Sequence, residues 1–204
     1  DVKFYCVGDD WQSIFRFTGS DITLFSQFER YFGTTALLRI ETTYRFNHPL
    51  ISLSSDFILK NPHQLPKKLV APADKPPTSY QIIESTADDD TEAVIQAMKQ
   101  LLADGARPDD SFYLIGRYNF DFTKRIVGRN HRLRVNYQQA TATYLITDGQ
   151  WRGQQANLQF ITAHKSKGLE ADYVIVLNCN SGKYGFPSGK SDDPILSLVL
   201  SSGD

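Results

Sequence analysis

The sequence predicts an α/β fold, a mostly parallel sheet with helices on both faces, and three observations carry that expectation. From residue 79 onward, strand-like and helix-like segments alternate, the signature of strand–helix–strand units. Tyr173–Leu177 (YVIVL) is an unbroken apolar, β-branched run, the pattern of a strand buried on both faces. The turn before it, within FITAHKSKGLEADYVIVLN (Phe160–Asn178), is polar and holds two lysines and a glycine. It lies at a strand end of a covered sheet, where α/β proteins bind ligands, and its donors suit an anion.

The elements follow in chain order. Lys3–Val7 (KFYCV) reads as a short strand ended by Gly8-Asp9-Asp10. From Asp21, a plausible N-cap, Leu24, Phe25, Phe28, Tyr31 and Phe32 recur at helical spacing, and Gly33 stops the helix. Leu37–Ile40 reads as a strand. Pro49–Lys60 reads as a helix with Pro49 in its first turn and Leu50, Leu53, Phe57 and Ile58 on one face. Residues 61–77 hold Pro62, Pro66, Pro72, Pro76 and Pro77 without any period, which describes a connecting loop. Tyr80–Ile83 reads as a strand. Asp88-Asp89-Asp90 opens a helix to about Ala103, with acidic side chains at the positive end of its dipole and Val94, Ala97, Met98, Leu101 and Leu102 as its buried stripe. The triple Asp also has the composition of a metal site, but capping accounts for it. Phe112–Ile115, Leu133–Tyr137 and Leu158–Thr162 read as strands, Phe120–Arg129 as a weak helix, and Asp148-Gly149-Gln150 as a turn.

With 204 residues, 41% apolar and 22% charged, the composition is that of an ordinary globular protein. The formal net charge of −1 excludes a global basic field, so nucleic-acid binding would need a local patch or stacking. Cys6 and Cys179 sit in apolar runs and read as buried, reduced thiols of a cytoplasmic protein. No Cys/His spacing suggests zinc, and no apolar run has membrane-spanning length. Asp1 directly before an apolar strand, and LVLSSGD at the other end, read as cuts through a larger protein.

Three islands are more polar than folding requires. In VGDDWQSIFRFTGSD (Val7–Asp21), the Gln12 amide follows a strand end and can bond a phosphate or a water. Phe15 and Phe17 flank Arg16 and could stack on bases, worth roughly 1–3 kcal/mol per base, or could be core residues. In IETTYRFN (Ile40–Asn47), Arg45 can set a planar fork on a phosphate, or form a surface ion pair. In the third, Thr162, His164, Lys165 and Lys167 offer donors, Gly168 permits close backbone approach, and Glu170 can accept from a sugar hydroxyl. A single His at a strand end is also commonly structural.

In this order, GDDWQSIFRF, TTYRFN and TAHKSKGLEADYVIV resemble motifs III, IV and V of superfamily 1 DNA helicases of the UvrD/Rep type, most like the DNA helicase IV branch. The resemblance runs from residue 4 to about 178. It implies a RecA-like P-loop NTPase fold, with residues 1–36 as the tail of the first RecA-like domain and 37–204 as the second, ending before motif VI. It also implies roles: Gln12 as γ-phosphate and water sensor, Arg45 as arginine finger, Tyr44 against adenine, Gly168 and Glu170 at the nucleotide, with Glu170 on the ribose. Phe15, Phe17, Thr162 and His164 would face DNA. Ala171, where the family usually has an aromatic, and Trp11, where an acidic residue is common, depart from the pattern.

The resemblance implies ATP with Mg2+ in the full-length protein, and single-stranded DNA, duplex junctions and a first RecA-like domain as partners. No ligand is expected to be tightly held by this chain alone. The 204 residues contain no G-x-x-x-x-G-K-[ST] phosphate cradle, no acidic strand end of the Walker B kind before Asp1, and no motif VI arginine. The readings from other classes are a non-motor single-stranded-DNA-binding module and the helicase part of a helicase–nuclease.

Overall fold

The computed structural model describes residues 3–15, 22–62, 64–85, 89–128, 132–147, 156–186 and 189. The chain divides into two compact units, one that includes residues up to Gln81 and one that runs from Ile82 to Lys190.

The second unit contains the sheet. Five strands, β1 (Phe112–Gly116), β2 (Arg134–Gln138), β3 (Thr143–Thr147), β4 (Leu158–Thr162) and β5 (Tyr173–Val176), lie in the order β2-β3-β4-β1-β5. β1 pairs parallel with β4 and β5, while β3 pairs antiparallel with β2 and β4. The sheet is therefore mixed, with its parallel part at the β4-β1-β5 side. The sequence reading found no strand at Thr143–Thr147. That strand returns from β2 across a tight turn containing Ala142 at φ +50°, and the hairpin supplies the antiparallel part.

Leu114, Leu158, Phe160, Ile146 and Phe112 lie on one face of this sheet and are almost fully buried. Against them pack Val94, Ile95 and Met98 of α4 (Thr91–Ala103), with Phe122 and Ile126 of the segment after β1. That segment is α5 (Asn119–Phe122) running on into a π-helical turn, Thr123–Val127, where the sequence predicts one weak helix. Among the described residues, both helical pieces feed this core face, and Ile161 on the opposite face is also buried.

β5 corrects a second expectation. Among the described residues it pairs only with β1 and stands at the edge of the sheet; Tyr173 and Ile175 reach the core while Val174 and Val176 remain 49% and 45% exposed. A β-branched run reports strand propensity; burial depends on what is laid over it.

The start of α4 refines the capping expectation. Asp89 accepts the Thr91 N–H at 2.8 Å, while Asp90 is 4% exposed and turned inward onto Arg125. Arg125 donates to the Asp90 carboxylate from Nε at 2.5 Å and Nη2 at 2.9 Å, and Ser85 Oγ donates to it at 2.6 Å. Asp90 is thus a buried tie between α4 and the π-helical turn, not a solvated cap. Asp88 lies outside the described residues.

In the first unit, α1 (Thr23–Ser26) and α2 (Phe28–Phe32) replace the single predicted helix, broken at Gln27 with φ −115° and ψ 36°. Gly33 ends α2 as expected, and Asp21 is outside the described residues. α3 spans Leu50–Ile58 with Pro49 at its N-cap, and Ile51 is its buried residue.

The expected strands Lys3–Val7, Leu37–Ile40 and Tyr80–Ile83 belong to no ladder among the described residues. Their apolar side chains are largely exposed, Tyr5 at 90% and Leu38 at 87%. The physical reason is that a strand exists only with a hydrogen-bonding neighbour. Cys6 and Cys179 are likewise exposed free thiols, not buried ones; Cys179 lies just past Leu177, the last core residue of its run. No helix among the described residues is long and apolar enough to cross a membrane.

Candidate nucleotide and nucleic-acid site

The third island is built by the sheet. β1 and β4 run parallel and end together at Gly116 and Thr162, and the Ala163 N–H donates to the Gly116 carbonyl at 2.8 Å. The chain then turns tightly. Ser166 N–H donates to the Thr162 carbonyl at 2.9 Å, Ser166 Oγ to the Ala163 carbonyl at 2.8 Å, and Leu169 N–H to the Ser166 carbonyl at 2.9 Å. Thr162 and His164 are half-buried at the start of this turn, and Gly168 and Glu170 are exposed at its end.

Gly168 has φ +81°, and an added Cβ would meet no atom within 4 Å. Glycine is needed there for the backbone conformation, and the position is open to a ligand's approach. Lys165 reaches sideways to the Ala142 carbonyl at 3.1 Å, so it helps hold the turn against the β2–β3 hairpin. Asp172 closes the segment: its carboxylate accepts the Ser111 hydroxyl at 2.7 Å and N–H at 2.9 Å, and these bonds, the hydroxyl's first, hold it below the ordinary carboxylate range.

The same sheet edge carries a cluster that the sequence reading did not find. After β1, Tyr118 and Phe120 stack with centroids 5.0 Å apart, and Tyr184 meets both edge-on. Arg117 lies 5.8 Å from the Tyr118 ring, Lys124 5.7 Å from Phe120 and Lys183 5.5 Å from Tyr184. The rings occupy one another and cap the sheet end. Around them stand three cations in a chain whose formal net charge is −1. Tyr118 and Tyr184, 66 positions apart in sequence, meet here, so no local pattern could announce the cluster.

The first and second islands lie in the first unit. Asp9 precedes a single 3-10 turn, Asp10–Gln12, and its carboxylate accepts both the Trp11 N–H at 3.2 Å and the Gln12 side-chain amide at 2.5 Å. Gln12 is exposed and Phe15 half-buried, while Phe17 lies outside the described residues. Burial alone would raise the Asp9 carboxyl, but the bonds from Lys67 and Gln12, with the Lys67 charge, outweigh it and hold Asp9 below its ordinary value.

Tyr44 and Arg45 occupy an exposed turn, Tyr44 at 75% exposure. The turn is anchored on both sides: Thr42 bridges to Val70, and the Asn47 N–H donates to the Thr78 hydroxyl oxygen at 2.8 Å while its side-chain amide donates to the Lys75 carbonyl at 2.6 Å. The structure therefore joins Thr162, His164, Gly168 and Glu170 on one turn, and seats Gln12 and Tyr44–Arg45 on loops of the other unit. Among the described residues, no group of three or more His, Cys, Asp or Glu could hold a metal ion.

Comparison with known proteins gives the geometry a context. DNA helicase IV of Escherichia coli (strain K12) is 30% identical over 98% of this chain. The chain is a relative of the UvrD-like DNA helicases. The putative ATP-dependent DNA helicase YjcD of Bacillus subtilis (strain 168) is 27% identical over 65% of the chain, and DNA helicase II of Rickettsia typhi 33% over 31%. This helicase relative spans 25% of the length of DNA helicase IV and 17% of YjcD. No family model matches the chain, and no solved structure does.

Proposed function

We propose that this chain is part of an ATP-dependent DNA helicase that translocates on single-stranded DNA, 3′ to 5′, and separates duplex at junctions. The observation that carries the reading is the turn after β4. Thr162 and His164 open it, Gly168 and Glu170 close it, and the whole turn hangs from two parallel strands. One rigid element thus offers donors for a DNA backbone at one end and a ribose acceptor at the other. A relative of DNA helicases aligned over nearly the whole chain supports the same reading.

In this reading the domain division is 1–36 for the tail of a first RecA-like domain and 37–204 for most of a second. Tyr44 packs against adenine and Glu170 holds the ribose, with Gly168 letting the backbone approach. Arg45 stabilises the charge that develops on the transferred phosphoryl group, an effect worth roughly 10³–10⁵ in rate in other nucleotide hydrolases. Gln12 orients the attacking water or senses the γ-phosphate. Phe15 and Phe17 stack on bases, with Thr162 and His164 on the backbone. ATP with Mg2+, when bound, supplies the phosphoanhydride and the charge neutralisation. The phosphate cradle and metal ligands are not among these 204 residues, so the chain alone is expected not to turn over ATP. The surroundings are cytoplasmic and the parent has a first motor domain as its partner.

The test is Arg45→Ala in the full-length protein. DNA-stimulated ATP hydrolysis should fall by about 10³-fold or more while single-stranded DNA binding is retained. Normal turnover would remove the arginine-finger assignment, and retained DNA binding with no ATP-dependent movement in the unsubstituted protein would favour a non-motor binding module.

A further inference from the structure

The β2–β3 hairpin closes the turn after β4 into a ring. Gln159 of β4 lies opposite Leu145 of β3, and its side-chain amide donates to Thr143 Oγ1 at 2.9 Å. Thr143 is 6% exposed, and its hydroxyl also shares a hydrogen bond of 2.6 Å with Thr141 Oγ1. Between these two threonines stands Ala142, whose carbonyl accepts from the Lys165 ammonium at 3.1 Å. The Lys165 N–H meets Thr162 Oγ1 at 3.4 Å, at the end of the strand that carries Gln159. The ring thus runs from Gln159 through Thr143 and Ala142 to Lys165 and returns along β4.

Two features set this ring apart. Ala142 has φ +50°, a left-handed conformation that residues with a Cβ rarely adopt and that persists where the bonds around it over-determine it. The Thr141–Thr143 bond and the Lys165 bond supply that constraint. The second feature is the use of Lys165 itself. In a turn rich in donors for an anion, this ammonium is engaged by a backbone carbonyl 23 positions back in sequence.

We propose that Lys165 is a positioning residue, anchored on the hairpin, that sets Thr162 and His164 in the orientation in which they meet a single-stranded DNA backbone. The proposal rests on the reading of Thr162 and His164 as DNA-facing residues. Contacts to phosphate and sugar fix how a protein sits on its track, and a hydrogen bond weakens steeply once its angle departs from linear. A loosened turn therefore loses affinity while keeping every donor. All members of the ring lie in the second unit and, in the proposed division, in one RecA-like domain. The ring moves with that domain and places no constraint on movement between domains.

The experiment uses the full-length protein with Lys165→Met, Lys165→Arg and Thr143→Val, reading oligo(dT) affinity over a range of salt concentrations and amide hydrogen exchange by mass spectrometry. Lys165→Met and Thr143→Val should each weaken oligo(dT) binding about tenfold, the size of one misplaced charge-assisted hydrogen bond, with the salt slope unchanged. Both should speed exchange in peptides covering residues 139–147 and 162–169, and Lys165→Arg should recover most of both effects. A salt slope lowered by about 0.7 in Lys165→Met, with Thr143→Val like the wild type, overturns the proposal, because the lysine is then itself a phosphate contact. Weaker binding with unchanged exchange overturns the ring, and wild-type binding in both variants overturns the positioning role. Faster exchange of β1 peptides in Lys165→Met would make the residue a general structural tie and also overturn that role. Thr162→Val combined with His164→Ala separates the reading beneath. Wild-type affinity in that variant removes the turn from the DNA contact, and the positioning role with it, while the ring is still read from exchange.

Discussion

Replacing Asp90 with Ala removes one half of the buried pair that ties the start of α4 to the π-helical turn behind the Tyr118–Phe120 stack. The Asp90 side chain is 6% exposed and that of Arg125 17%, and the guanidinium meets the carboxylate through both Nε and Nη2. Asp90→Ala therefore takes a bidentate carboxylate from a half-buried guanidinium and leaves Ser85 Oγ without that acceptor. Breaking such a pair costs about 3–5 kcal/mol, against about 0–1 kcal/mol for an exposed pair. A loss of that size is a large fraction of the roughly 5–15 kcal/mol that holds a domain folded. The assay is hydrogen exchange of β1 and β4 amides against urea concentration, which reports the sheet unit by itself. The urea midpoint should fall with the slope little changed. Arg125→Met should be destabilising alone, and Asp90→Ala with Arg125→Met should cost clearly less than the sum of the singles. A loss below about 1 kcal/mol for Asp90→Ala, or strict additivity in the double variant, would refute the pair as a structural tie.

Gly116→Ala tests the junction from which the turn after β4 hangs. An added Cβ would lie 3.1 Å from both Asp121 Cβ and Phe160 Cε2, so overpacking should cost about 1–3 kcal/mol in the same exchange assay. A second expectation concerns acid. The folded Asp9 carboxyl lies below its ordinary value of 3.8, so its contribution is present above that value and is lost as pH falls through the lower folded one. Urea midpoints of the first unit should therefore drop between about pH 5 and pH 2, and Asp9→Asn should flatten part of that drop. An identical pH profile in Asp9→Asn would show that the Lys67 and Gln12 bonds do not bias Asp9.

How much was legible depended on how local the cause is. Val94 and Met98 of α4, Gly33 at a helix stop, and the strands around Leu114 and Phe160 follow from periodicity and backbone preference within a few residues. The strand Thr143–Thr147 was missed because it is defined by pairing with β2 and β4. Lys3–Val7 and Leu37–Ile40 were read as strands from composition alone, yet no ladder forms on them among the described residues. The site divided the same way. Gln12, Arg45, Thr162 and Glu170 stood out because they interrupt apolar segments with polar, glycine-containing turns. Lys67, which pairs with Asp9, gave no signal, because a lysine in a proline-bounded loop has no period and Asp9 is 58 residues away in sequence.

The sequence by itself determined the α/β class, the helices and parallel strands of the core, and three polar islands in an order that resembles a helicase motor. These depend on side-chain pattern and turn chemistry, which act over short distances along the chain. Tertiary structure alone decided that Val174 and Val176 of β5 stay exposed, that Asp90 is buried on Arg125, and that Leu65 and Val70 each bond to one of the islands. Each of those depends on which surfaces meet, and burial and ion pairing take their sign from that meeting, not from the residue.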